Sequence, residues 1–245
     1  MAVKAILSDN QLKLLRLLGK EKLISKNFYL TGGTALAQYY LKHRLSEDLD
    51  FFSEAEFNPK DIAIELKKIQ KEAGIKRVDF QQSFNRNLFF LELKNDVIKT
   101  EFTYFPFPPV IARSLKATEA IPSYGSANKE IAALPTAARN DNALLVDTLM
   151  DIAVNKIFTI YQNPRSRDFI DLYFIIQKTG WKIIDLVKKA KIKFDWHVDP
   201  LQLGSQFMRV NELKDYPRMI KKLDHKKWQG FFIKEAKKLG SEIIV

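Results

Sequence analysis

A chain of 245 residues with no cysteine can bury a substantial core, but it has no disulfide framework, thiolate metal site or cysteine nucleophile. Lysine and arginine outnumber the acids 40 to 29, and the resulting net charge of +11 favours polyanionic partners, nucleic acid among them. The opening residues MAVKAILSDNQLKLLRLLGK lack a signal peptide's apolar core and no apolar run approaches the roughly 18 residues of a membrane span, so a soluble, cytoplasmic chain without membrane contact is expected.

Taken in chain order, residues 9–24 predict one amphipathic helix with Asp9 as N-cap and Leu12, Leu14, Leu15, Leu17 and Leu18 following. Tyr29 to Ser53 reads as a strand, a tight turn at Gly32 and Gly33, a short helix starting at Thr34 and a second strand. Asn58 as cap, Pro59 at the first helical position and Gly74 past the last turn predict a helix over 59–73. Strands follow at 77–82, 87–93 and 97–105, before Pro106, Pro108 and Pro109 break the pattern. The expected architecture is therefore α/β (α+β): a mixed-sheet domain over 1–106 and a mainly helical domain over 107–245. Residues 110–140 read as short strands and loops. A helix from Ala143 to Tyr161 would carry Asp147, Asp151 and Asn155 on one face, and a helix from Ser166 to Gly180 would carry Asp168 and Asp171 on one face. Lysine-rich helices are expected at 181–191, 199–210 and 224–239.

The chemistry concentrates in the second of these strands. Asp48 and Asp50 alternate with Leu49 and Phe51, so a period of two sends both carboxylates to one face and the apolar pair into the core. Two adjacent acids repel unless a cation lies between them, which makes Asp-x-Asp at a strand end a candidate site for a divalent metal, Mg²⁺ or Mn²⁺. Glu101, from a neighbouring strand that also carries Lys99 and Thr103 on one face, is the candidate third metal-site acid and general base, with Asp96 as fallback. Gly32 and Gly33 let the backbone approach a ligand, and the helix start with the Thr34 hydroxyl can hold phosphate oxygens. Arg44 and Ser46, just ahead of the acids, are candidates for orienting a phosphate or pinning the loop. His43, His197 and His225 show no metal-ligand spacing. The lysines of the last third, interspersed with Trp181, Trp196 and Trp228, form a candidate surface for an RNA acceptor; a solvated basic face and core aromatics explain the same pattern.

Gly32-Gly33 followed by Asp48-Leu49-Asp50-Phe51 resembles the signature of the DNA polymerase β-like nucleotidyltransferase superfamily. More narrowly, GGTAL with HRLSEDLDFF resembles the AbiEii/AbiGii toxin family, the nucleotidyltransferase halves of abortive-infection toxin–antitoxin systems; the long spacer after Thr34, and threonine where serine is often found, both fit that narrower family. Residues 151–156 and 167–172 resemble its further motifs. The resemblance implies that Lys156 and Asp168 face a nucleotide cleft, Lys156 contacting the triphosphate, with the helical domain closing that cleft. It implies transfer of a nucleotide from a nucleoside triphosphate to an RNA such as tRNA, a block on translation, and a separately encoded antitoxin. Transfer to a small molecule, and a catalytically silent nucleotide- or RNA-binding module, are the alternatives.

Overall fold

The computed structural model describes residues 5–110 and 144–241, which divide into two compact units. The first holds residues 5–39, 46–108 and 144–148, and the second holds 40–45, 109–110 and 149–241.

The first unit is built on a six-stranded mixed sheet in the order β3-β4-β5-β2-β1-β6. Its strands are β1 (Tyr29–Thr31), β2 (Leu49–Ser53), β3 (Arg77–Ser83), β4 (Arg86–Glu92), β5 (Val97–Tyr104) and β6 (Leu145–Val146). β2 runs parallel to β5 and β1 parallel to β6; the other neighbours are antiparallel. Alternation in β2 sends Leu49 and Phe51 into the core, where Phe51 stacks on Phe102 at 4.8 Å and Phe28 meets Phe102 edge-on at 5.2 Å.

Helices α1 (Asp9–Lys20), α2 (Lys22–Asn27) and α4 (Pro59–Ala73) accompany this sheet. The single helix expected over 9–24 is two helices, and the cap is Ser8, not Asp9. Ser8 accepts from the Gln11 amide while Gln11 returns a bond to the Ser8 amide, a reciprocal box that fixes the start one residue earlier. Extended Glu21 separates the two helices. α4 has the expected ends, with the Asn58 side chain accepting from the Lys60 amide and Gly74 left-handed at φ 77°.

Helix α3 (Gly32–Ala35) continues into a π-helical turn, Leu36–Leu41. It starts at Gly32, two residues before the expected Thr34, because Gly32 itself adopts the positive φ of 73° that bends the chain out of β1.

The second unit is helical: α5 (Leu149–Gln162), α6 (Ser166–Thr179), α7 (Ile183–Phe194), α8 (Pro200–Met208) and α9 (His225–Ser241). Phe169, Phe207, Phe232 and Trp228 form an aromatic core with Trp228 fully buried. The helix expected from Ala143 begins only at Leu149. Leu145 and Val146 instead form β6, so Asp147 does not share a helical face with Asp151 and Asn155. Pairing with β1, distant in sequence, overrides the local helical pattern there. The short strands and loops expected over 110–140 lie, from residue 111 on, outside the described residues.

Candidate active site

A row of polar side chains crosses four strands of the sheet. Glu101 on β5 is the register partner of Asp50 on β2, and Asp50 is the partner of Thr31 on β1. One step beyond the β1–β6 pairing, the Thr31 hydroxyl donates to the Asp147 carboxylate at 2.7 Å. Register partners in a sheet point to the same face, so this row, with Asp48 two residues before Asp50, sets four carboxylates on one side of the sheet. Sequence reasoning placed Asp48, Asp50 and Glu101 here and missed Asp147 and Thr31. A two-residue strand carries no periodicity by which Asp147 could have been found.

Cations lie against this row. Lys99 donates to Asp48 at 2.9 Å, and Arg86 forks both Glu101 oxygens at 2.7 and 2.6 Å, with Thr103 donating to one of them at 3.1 Å. Those hydrogen bonds raise the Arg86 guanidinium above its ordinary value, and the charges of Glu101, Asp50 and Asp48 add to the effect. Glu101 is buried, whereas the Lys99 and Arg86 side chains are 30% and 52% exposed, so the counter-cations stand at the solvent side of buried or half-buried acids.

The glycine turn closes on the same row. A Cβ built on Gly32 would lie 2.3 Å from Asp50 Oδ2, so only glycine leaves the Asp50 carboxylate its space. Thr34 is fully buried and its hydroxyl donates to the Asp48 carbonyl, tying the turn to the residue that opens the acid pair. Ser46 is half-buried on the segment leading to β2, and the neighbouring Glu47 carbonyl accepts from Gln11 at 2.8 Å.

Among the described residues no three histidine, aspartate or glutamate side chains are gathered as metal ligands. The donor set still suits a hard divalent cation: carboxylate oxygens on one face, with the space beside Asp50 that a Cβ at position 32 would fill.

The second unit carries its own charged cluster. Lys156 on α5 lies 2.7 Å from Asp168 and 2.7 Å from Asp171, both on α6. Arg44 forks Asp171 at 2.6 and 2.8 Å, His43 Nε2 contacts it at 2.8 Å, and Arg165 donates to Asp168 at 2.7 Å. Burial alone would raise both carboxyls. Lys156, with Arg165 beside Asp168 and with Arg44 and His43 beside Asp171, outweighs it and holds both below the ordinary carboxylate range, Asp171 well below. Burial lowers His43 from its ordinary value against the opposing pull of Asp171. Arg44, expected to orient phosphate or pin its loop, is 4% exposed and bonded to Asp171 and to the Leu45 carbonyl. Asp151 pairs with buried Lys193 at 2.7 Å, not with Lys156.

The family description "Nucleotidyl transferase AbiEii toxin, Type IV TA system" matches residues 16–235. The chain belongs to the AbiEii family. A protein of Aquifex aeolicus (strain VF5), aq_aa25, described as uncharacterized, is 30% identical to this AbiEii chain over 173 residues, 70% of this chain and 68% of its own. Solved structures share the AbiEii fold. JHP933 from Helicobacter pylori has a TM-score of 0.53 and 20% identity, covering 96% of this chain and 94% of its own. A nucleotidyltransferase toxin from Mycobacterium tuberculosis H37Rv, MenT4, has a TM-score of 0.50 and 14% identity, covering 94% and 81%. The AbiEii chain is thus a member of a family of nucleotidyltransferase toxins. None of its described helices is long and apolar enough to cross a membrane.

Proposed function

We propose that this protein transfers a nucleotide from a nucleoside triphosphate to the hydroxyl of an RNA acceptor such as tRNA, releasing pyrophosphate, and that the modification blocks translation. One observation carries the reading: Glu101 and Asp50 stand in register on parallel strands, with Asp48 beside them and a glycine turn against Asp50. Asp48, Asp50 and Glu101 would hold Mg²⁺ or Mn²⁺. That ion would neutralise the triphosphate charge and lower the pKa of the attacking hydroxyl.

The chain's own residues do the rest. Gly32 and Gly33 bring the backbone close to phosphate oxygens, and Thr34 fixes the turn by its bond to the Asp48 carbonyl. Glu101 accepts the proton of the attacking hydroxyl once the Arg86 fork is exchanged, which the guanidinium's half-exposed position allows. Lys156, with Asp168 beside it, contacts the triphosphate, and Arg44 and Ser46 flank the acid pair in sequence as phosphate-orienting or loop-pinning residues. A directly or indirectly acting antitoxin, separately encoded, restrains the activity in this reading.

The test is incubation of the protein with Mg²⁺, each labelled triphosphate in turn and total tRNA, beside an Asp48→Ala/Asp50→Ala control. Label on RNA that disappears in the control supports the proposal. Label on a small molecule, or on nothing, overturns it.

A further inference from the structure

The second unit carries a groove of about 470 Å³ lined by Trp181, Asp185, Leu186, Lys188, Lys189 and Ile192, with Met150 of α5. Positions 185, 188, 189 and 192 recur at helical spacing and form one stripe along α7, Trp181 lies just ahead of the helix, and Ile183, Leu186, Val187, Ala190 and Phe194 are buried. The stripe and the residues next to it have two unusual properties. Ile192 is 83% exposed and Trp196, just past the helix, is 58% exposed, although both are large apolar side chains. Lys188, Lys189 and Lys191 make no ion pair among the described residues, so their charge is available to a ligand. Asp185 is the single acid in the lining, and it sits in the first turn of α7, where a carboxylate offsets the helix dipole.

We propose that this groove docks a single-stranded segment of the nucleic-acid acceptor. A base stacks on Trp181, the neighbouring phosphates lie against Lys188 and Lys189, and Ile192 with Met150 supplies an apolar wall. The proposal rests on the reading that the acceptor is RNA, and it adds where that RNA is held. Aromatic faces between unpaired lysines are the combination that binds single strands without sequence choice, because every base has a face to stack and every linkage a charge. An acidic amphipathic protein segment shares the charge complementarity. It would need several hundred Å² of contact, roughly 800 Å² on each partner in a stable complex, which a groove with so few lining residues does not offer.

The experiment measures binding of a 5′-fluorescein single-stranded RNA to the full chain carrying Asp48→Ala/Asp50→Ala, by anisotropy over a series of salt concentrations. Trp181→Ala and Lys188→Gln/Lys189→Gln are then introduced in that background. Trp181→Ala weakens binding about tenfold. The double lysine variant weakens it comparably and flattens the slope of log affinity against log salt by about 1.4, two released counterions at ~0.7 each. Lys188 is exposed, Lys189 is half-buried and neither makes an ion pair among the described residues, so this variant keeps its melting temperature. Unchanged affinity and slope in both variants overturn the proposal, as does a loss of affinity confined to an amphipathic Leu/Glu peptide titrated in parallel. The labelling assay separates the two readings. RNA that is labelled by the unmodified protein yet bound equally by the groove variants sinks the groove alone, whereas RNA that binds through the groove but is never labelled sinks the transfer reaction alone.

Discussion

Thr31 and Asp147 are joined by a 2.7 Å hydrogen bond between the ends of β1 and β6. Thr31 is also the residue from which the glycine turn departs, and its hydroxyl, committed to Asp147, caps nothing in α3. The bond therefore fixes where the turn begins. Thr31→Val keeps the shape, removes the donor and costs about 1–3 kcal/mol of stability. A turn that has drifted binds phosphate less well while the acids stay in place, so KM for the triphosphate rises several-fold and kcat changes little. Thr31→Ser restores KM. Equal loss of kcat and kcat/KM would assign the residue another part.

Gly32→Ala tests the close approach to Asp50. The added Cβ meets the carboxylate at 2.3 Å, and a positive φ of 73° costs an alanine about 1–2 kcal/mol on its own. Asp50 must turn away from the row. Transfer activity falls at least a hundredfold while the far-ultraviolet circular dichroism and the cooperativity of the melt persist. An active Gly32→Ala enzyme would remove the turn from the site.

Lys99 and Arg86 compete with any divalent ion for the carboxylates they hold. Lys99→Met and Arg86→Met relieve that competition, so the Mg²⁺ concentration giving half-maximal activity falls several-fold in each variant. Removing divalent ions with a chelator abolishes transfer in both. A higher half-saturation point would show that these cations serve the triphosphate and not the acids.

Asp171 anchors the second unit's charged cluster through Arg44, Lys156 and His43 at once. Truncating a buried partner leaves an uncompensated charge, so Asp171→Ala costs about 3–5 kcal/mol in urea unfolding. Asp168→Asn, with Arg165 at the surface side of that pair, costs less.

The same cluster sets an acid limit. Asp171 and Asp168 titrate below their unfolded values, so the stability they contribute is present above about pH 4 and is lost as pH falls through their folded values. His43, lowered by burial between Asp171, Arg44, Lys156 and the Phe174 ring, binds its proton more readily unfolded, so stability also declines as pH falls below about 6.5. Both slopes have the same sign. Urea midpoints measured from pH 7.5 to 3.5 fall in two stages, and His43→Gln removes the upper stage. A single stage in the unmodified protein would exclude His43.

Asp48 and Asp50 were legible because a strand's period of two is written in adjacent residues, and the caps of α4 because Asn-Pro and a terminal glycine act within one turn. The alternation in β5 likewise put Glu101 on a face with Lys99 and Thr103. What the amino-acid order could not reveal was which strand lies beside which. The register that sets Glu101 against Asp50, the two-residue β6 that brings Asp147 to Thr31, and the closure of Arg44 and Lys156 on Asp171 all join segments distant along the chain. Such contacts are chosen by burial and by the need of each buried charge for a partner, which no local pattern encodes. The sequence thus determined the chemistry available to this protein, and the folded sheet decided which of those groups meet.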